Sequence, residues 1–243
     1  YLRILRYLRF FSSYSKTEHD VNTLKSIKKN LNGISKVSTE RLLDEFKKIF
    51  SSQSLQQLCS NSSSFELIQL IFPQFKNLKI IKKLNPSAKN KLKYIDFIFL
   101  LGVLTIDETD NLDYFLYKFN ISKKNQKRII NIRDFFYGKK KAFKINLQSL
   151  WKYYYLYGQQ SLNDILNYKI FISKNDDKKS VDLIDYFKNK EAPVFPIRAD
   201  DLMKKFNFSE GKKLGENLKL LEDYWINNNF KISEKEIKKI VKF

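Results

Sequence analysis

Only 6 glycines, 4 prolines, 1 cysteine and 1 histidine occur in these 243 residues, and each scarcity excludes something. The single Cys59 excludes an internal disulfide and any cysteine-rich zinc site, and it fits a reducing compartment, so a cytoplasmic location is expected. With His19 as the one histidine, a Ser/His/Asp or Cys/His relay has a single conceivable base. Few glycines and prolines suit helices joined by short polar connections, so the expected fold is all-α. No apolar run reaches the length of a membrane span. The most apolar stretch, YIDFIFLLGVL, reads as a buried core helix. The N-terminus lacks the order of charge, apolar block and small-residue cleavage site of a signal peptide. It begins with Tyr1 in a helical pattern, which leads us to expect that the natural beginning lies further upstream.

Apolar residues make up 43% of the chain and aromatics 15%, enough for a sizeable core. The formal charge is +20, from 46 basic and 26 acidic side chains, and a polyanion is the partner such a surface suits. Abundant Lys, Asn, Ile, Phe and Tyr also mark an AT-rich genome, so lysine content alone does not decide the matter. Arginine is more telling. Of the seven arginines, Arg3, Arg6 and Arg9 stand three apart in YLRILRYLRFF. On a helix, steps of three keep them within a stripe roughly 120° wide. Leu2, Leu5 and Leu8 form one flank of that stripe, and Ile4, Tyr7 and Phe10 the other. Planar, forked donors concentrated there suit an anion in a cleft, unless the charges merely snorkel from a packed helix.

Helical patterns recur along the whole chain. The first runs from Leu2 to about Ser15. The second starts at Asp20 as N-cap and ends at Gly33, and the third starts from Ser38, with Glu40 in its first turn and Lys47 and Lys48 in its last. Pro73 terminates FELIQLIF. Further helices are expected over Ala88 to Leu104, Asn111 to Phe119, Lys123 to Tyr137 and Leu147 to Tyr157. EAPVFPI reads as an extended linker. Beyond it come a short helix around Leu202, a longer one from about Lys213 to Asn227, and a last one opened by a capping box of Ser233 and Glu236.

No catalytic set is visible. His19 with Asp20 is similar to the metal-binding pair of HD-type phosphohydrolases, but one histidine cannot build that site. Asp176 with Asp177 and Asp200 with Asp201 are adjacent carboxylates that point apart on a helix, so neither pair reads as a metal clamp. Gly211 and Gly215 lack a phosphate-loop pattern and read as a helix start and a close packing contact. Basic and aromatic stretches are more suggestive. Lys123, Lys124, Lys127 and Arg128 open one helix, and Lys139, Lys140 and Lys141 follow it. LWKYYYLYG adds Trp151, Tyr154 and Tyr155. Such stretches track phosphates and stack on bases, or else form a core with a solvated rim.

Two segments carry a family resemblance. YLRILRYLRFFSSYSK, with HDVNTLKSIKKNLNGISKVSTERLLDEFKKIF, resembles the neck of class II tRNA nucleotidyltransferases and bacterial poly(A) polymerases. There a Glu-Asp-x-x-Arg element is followed by Leu-Arg and Arg-Phe, and later by Glu-Arg with a Glu four residues on. Arg3, Arg6 and Arg9 match the first set, and Glu40, Arg41 and Glu45 the second. FPIRADDLMKKFNFSEGKKLGENLKLLEDYWINNNFKIS resembles the family's tail, with Pro196, Asp201, Leu202, Met203, Gly215, Leu218, Trp225 and Phe230 in register. Ala199 replaces a usual glycine, and Glu210 with Gly211 stands where Gly-Pro is common.

The resemblance implies an elongated helical neck (1–55), body (56–158) and tail (159–243), without the family's β-sheet catalytic head. It implies addition of CCA to tRNA 3′ ends from CTP and ATP by the complete protein, on Mg²⁺ ions bound in that head, with this portion alone inactive. Arg3 would pair with the base edge, and Arg6 and Arg9 would hold the triphosphate. Glu40, Arg41 and Glu45 would brace the neck. The basic helices would grip tRNA, and the lysine-rich stretches above are the weaker RNA-binding candidates. No membrane partner is expected. Alternatives are a poly(A) polymerase or a C-only or A-only enzyme, a non-catalytic helical RNA-binding module, and a structural protein with lysine-rich drift.

Overall fold

In a computed structural model of the chain, the residues described are 1–14, 18–51, 55–138, 143–206 and 209–241. Lys139, Lys140 and Lys141 lie outside them. The described residues are helical with no strand, as the scarcity of glycine and proline predicts. Among them no helix is long and apolar enough to cross a membrane. Two compact units emerge, Tyr1–Ala142 with Asn163–Lys188, and Phe143–Leu162 with Asn189–Phe243.

The first unit opens with α1 (Leu2–Tyr14), α2 (Val21–Asn30), a 3₁₀ turn (Leu31–Lys36) and α3 (Thr39–Ser51). Asp20 caps α2, accepting from the Thr23 N–H at 2.7 Å. Gly33 does not end that helix. The chain tightens into the 3₁₀ turn instead, and Gly33 lies inside it, where a side chain would run into the ring of Tyr1. After α4 (Leu55–Ser60) comes α5 (Ser62–Ile71), capped by Asn61 and stopped just before Pro73. Then follow α6 (Leu78–Lys82), α7 (Pro86–Lys91) and α8 (Phe97–Thr105). The single helix expected over Ala88 to Leu104 is therefore two. Asp96 breaks it, accepting from the Phe99 N–H at 3.0 Å as the N-cap of α8, a competition between carboxylate and backbone typical of Asp. Residues Phe99 to Thr105 of α8 are all buried, so the later part of the eleven-residue apolar run is core, whereas Tyr94 at its start is exposed and lies before the helix.

α9 (Asn111–Lys118) and α10 (Lys123–Tyr137) fall where their patterns predict. α11 (Leu147–Ile172) continues past the expected end at Tyr157, but Gly158 there has φ 79° and breaks its regularity. The second half of α11 returns to the first unit with α12 (Lys178–Phe187). The first unit's core is aromatic at its centre. Phe46, Phe72 and Phe75 pack with ring centroids 4.7 to 5.2 Å apart, in tilted or offset geometries that such rings favour.

The second unit combines the first half of α11 with α13 (Ala199–Phe206), α14 (Lys212–Asn227) and α15 (Glu234–Ile240). Leu202, Leu214, Leu221 and Val241 form its apolar core. Trp225 sits against Tyr155, Phe195 and Phe230 at 4.9 to 5.4 Å. Ser233 and Glu236 make the expected capping box on α15. Gly211 starts α14 as expected, but Gly215 makes no close packing contact, since a side chain there would meet open space.

Candidate functional site

α1 buries Ile4, Leu5, Leu8 and Ser12, which lie on one face at helical spacing, and packs that face on α3. The opposite face carries Arg3, Arg6 and Phe10, all exposed. Phe10 is thus not part of a packed flank. Its ring lies 5.0 Å under the Arg9 guanidinium and stacks on Tyr14.

The pairing with α3 turns on one carboxylate. Glu45 is only 3% exposed at its side chain and faces three cations. Arg9 Nη1 donates to Oε2 at 3.1 Å, Arg6 Nε to Oε1 at 3.5 Å, and Lys48 Nζ to Oε1 at 2.9 Å. Burial pushes the Glu45 carboxyl up, but the Lys48 hydrogen bond and the charges of Arg9, Lys48 and Arg6 outweigh it and hold the group below its ordinary value. One negative charge amid three positive ones leaves an excess of positive charge, and Arg3 adds to it. Arg3 has no side-chain partner among the described residues. Arg6 and Arg9 each keep donors that Glu45 does not use. The arrangement is a fixed basic cluster with open donors, the chemistry an oligophosphate or a nucleotide needs.

A second anchor fixes α1 on its other side. Tyr7 Oη and Ser64 Oγ each lie 2.7 Å from a ring nitrogen of His19, and Phe11 stacks on the same ring at 3.5 Å. His19 is buried, and burial pushes its pKa down against the pull of Glu18. It is a packed, hydrogen-bonded core histidine that ties α1 to α5.

Among the resemblance residues, Glu45 joins the arginines, whereas Glu40 and Arg41 stay exposed on α3 and make no side-chain pairing among the described residues. The lysine-rich start of α10 divides. Lys123, Lys124 and Lys127 are exposed, but Arg128 turns inward. Its Nε and Nη2 donate to Asp164 at 2.6 and 2.8 Å, and Nη2 also reaches Asp96 at 2.7 Å. Asp164 is 2% exposed, so Arg128 neutralises a buried charge and braces α8, α10 and α11. Hydrogen bonding to Asp164 raises its pKa further, against burial. Tyr153 and Tyr154 are core, while Trp151 borders a groove. Asp177 caps α12, Asp176 accepts from the Ser87 N–H, and Asp201 accepts from the Arg198 N–H. No three His, Cys, Asp or Glu side chains converge as metal ligands do among the described residues.

The lysines of α2 were not singled out from sequence. Lys25, Lys28 and Lys29 are exposed on α2, with Lys28 Nζ paired to Glu66 at 2.8 Å, and their clustering in VNTLKSIKKN was the available signal.

A family model described as "Probable RNA and SrmB- binding site of polymerase A" matches residues 20–79, which include α2, α3 and Glu45. The chain is also 23% identical over 262 residues to CCA tRNA nucleotidyltransferase 1, mitochondrial, of Mus musculus. That alignment takes in 100% of this chain and 55% of the relative, so the chain spans about half the length of the curated protein it matches.

Proposed function

With these matches supporting the C-terminal portion of the CCA-adding and poly(A) polymerase family, we propose that the chain is the RNA-binding and nucleotide-selecting part of a template-independent nucleotidyltransferase. Its substrates are tRNA, CTP and ATP, and its product is the completed CCA end. The observation that supports this reading best is the convergence of Arg6, Arg9 and Lys48 on the buried Glu45, with Arg3 open on the same helix.

In this reading Glu45 prepares the site: it fixes two guanidinium planes before the nucleotide arrives, so little side-chain order is lost on binding. Arg6 and Arg9 present their remaining N–H groups to the triphosphate. Arg3 offers two donors in one plane to a base edge, which a lysine cannot do. The exposed lysines of α2 and α10 follow RNA phosphates, recognising shape more than sequence. Mg²⁺ supplies Lewis-acid chemistry in this family's reaction, but the described residues offer no cluster to hold it, and we assign it to no residue of this chain. The bond-forming step is assigned to a catalytic segment outside the chain.

Purified chain mixed with tRNA and labelled CTP tests this. Salt-sensitive tRNA binding without incorporation is expected, and incorporation by the chain alone contradicts the division of labour. The alternative is a poly(A) polymerase, since residues 20–79 match a family described as a binding site of polymerase A. Product length on tRNA lacking CCA separates the two: three added nucleotides against a long A tract.

A further inference from the structure

Outside the matched segment, the second unit holds a groove of about 560 Å³, inside the roughly 300–1,000 Å³ range of small-ligand pockets. Gln148 and Trp151 line it from the start of α11, Pro193 from the extended segment, and Asn229 with Phe230 from the corner after α14.

That corner is conformationally unusual. Asn229 and Phe230 have φ of 54° and 60°, and left-handed backbone at a bulky side chain is an outlier that the surroundings must enforce. They do so here. The Phe230 N–H donates to the Trp225 carbonyl at 2.8 Å, Asn228 Nδ2 donates to the Lys231 carbonyl at 3.0 Å, and the Phe230 ring meets Trp225 edge-on. The result is a rigid aromatic wall.

The groove's polar edge is also prearranged. Gln148 Nε2 donates to Asn229 Oδ1, so each amide fixes the other. This leaves the Asn229 amide N–H groups and the Gln148 carbonyl oxygen without a partner among the described residues. Flipping both amides exchanges their roles but still leaves one donor and one acceptor. Glu191 adds a further acceptor to the lining. A flat aromatic surface beside a donor and acceptors matches a nucleobase, which has a π-face and a mixed polar edge. Lys152, one helical turn beyond Gln148, supplies positive charge nearby and is held by Asn227 at 3.2 Å.

We propose that this groove takes one unpaired nucleobase of the bound RNA, stacked on Trp151 and Phe230, with its polar edge met by Gln148, Asn229 and Glu191. The proposal rests on the reading that the chain binds RNA.

The test measures affinity of the full chain for a tRNA transcript across a salt series, for wild type, Trp151→Ala and Phe230→Gly. Glycine adopts the left-handed backbone freely, so the second variant removes the ring and keeps the corner. Urea midpoints establish that both variants are folded. Each variant should bind about fivefold or more weakly, the lower end of a lost base stack, with the slope of log K against log salt unchanged because no phosphate contact is lost. Wild-type affinity in both folded variants overturns the proposal while leaving RNA binding intact, and is the result expected of a groove that serves a protein partner. A loss accompanied by a shallower salt slope overturns base stacking in favour of a phosphate contact. Absence of tRNA binding by wild type at low salt overturns the RNA reading itself, and this inference with it.

Discussion

Oε2 of Glu45 lies 3.1 Å from Nη1 of Arg9, and this contact joins α3 to α1 at the point where the basic cluster begins. The carboxylate is nearly inaccessible, whereas Arg9 is 24% and Arg6 52% exposed at their side chains. Replacing Glu45 therefore has two consequences. The fold loses charge-assisted hydrogen bonds worth about 1.5–3 kcal/mol, and the arginines lose their fixed planes. Glu45→Ala should lower the unfolding free energy extrapolated from urea titration by about that amount and weaken nucleotide use. Glu45→Gln should retain more stability than Ala, since it still accepts a hydrogen bond. Equal stability of all three proteins would contradict the bracing role.

Two buried groups set different acid limits. His19 has a folded pKa below its ordinary value, so protonation favours the unfolded chain. Its contribution is fully present above about pH 6.5 and is lost as pH falls through the folded pKa. Glu45, also lowered, contributes above about pH 4.3 and is lost below that as the carboxylate protonates. Stability measured against pH should thus fall in two stages. His19→Gln should remove the upper stage and Glu45→Gln should diminish the lower one. An unchanged upper stage in the His19 variant would place its origin elsewhere.

Arg128→Lys should act on the fold. A lysine ammonium keeps the charge but cannot reproduce the forked contacts to Asp164 and Asp96, and outright removal of a buried carboxylate's partner costs about 3–5 kcal/mol. Denaturant titration should show a clear loss smaller than that, with the tRNA salt slope unchanged wherever the variant is folded. A shallower slope with wild-type stability would make Arg128 an RNA contact instead.

The exposed lysines behave oppositely. Replacing Lys25, Lys28 and Lys29 together by alanine, or Lys123, Lys124 and Lys127 together, should leave the urea midpoint nearly unmoved. For each set that follows the RNA backbone, the slope of log K against log salt should fall by about 0.7–0.9 per lost phosphate contact. The α2 set lies in the segment matched by the RNA-binding model and should show the larger change. Unchanged slopes for both sets would remove them from the interface.

How far these features could be read from sequence depends on their range. Caps and apolar spacing are local, so the starts at Asp20 and Ser233 and the span of α10 were legible. The break at Asp96 was not, because an aspartate within a helical pattern either faces solvent or caps the next helix, and only packing decides between them. Gly33 illustrates the same limit: a glycine signals a possible end, while the neighbouring chain determined a tightened turn. At the site, three arginines on one stripe were evident from spacing and the resemblance named Glu45 as a brace, but the pairing of Glu45 with Arg6 and Arg9 needed α3 to fold back. Arg128 was grouped with lysines because its partners lie 32 and 36 residues away. The return of residues 163–188 to the first unit leaves no local trace at all.

If α1 selects the nucleotide, Arg3→Lys should reveal it, because that substitution keeps the charge and removes the fork. The measurement is the ratio of kcat/KM for CTP and ATP on tRNA acceptors ending before and within CCA, in a protein carrying this chain together with its catalytic segment. A sharp loss of rate, of discrimination between the two nucleotides, or of both is expected, with tRNA affinity preserved. Wild-type rates and discrimination in the lysine variant would contradict it.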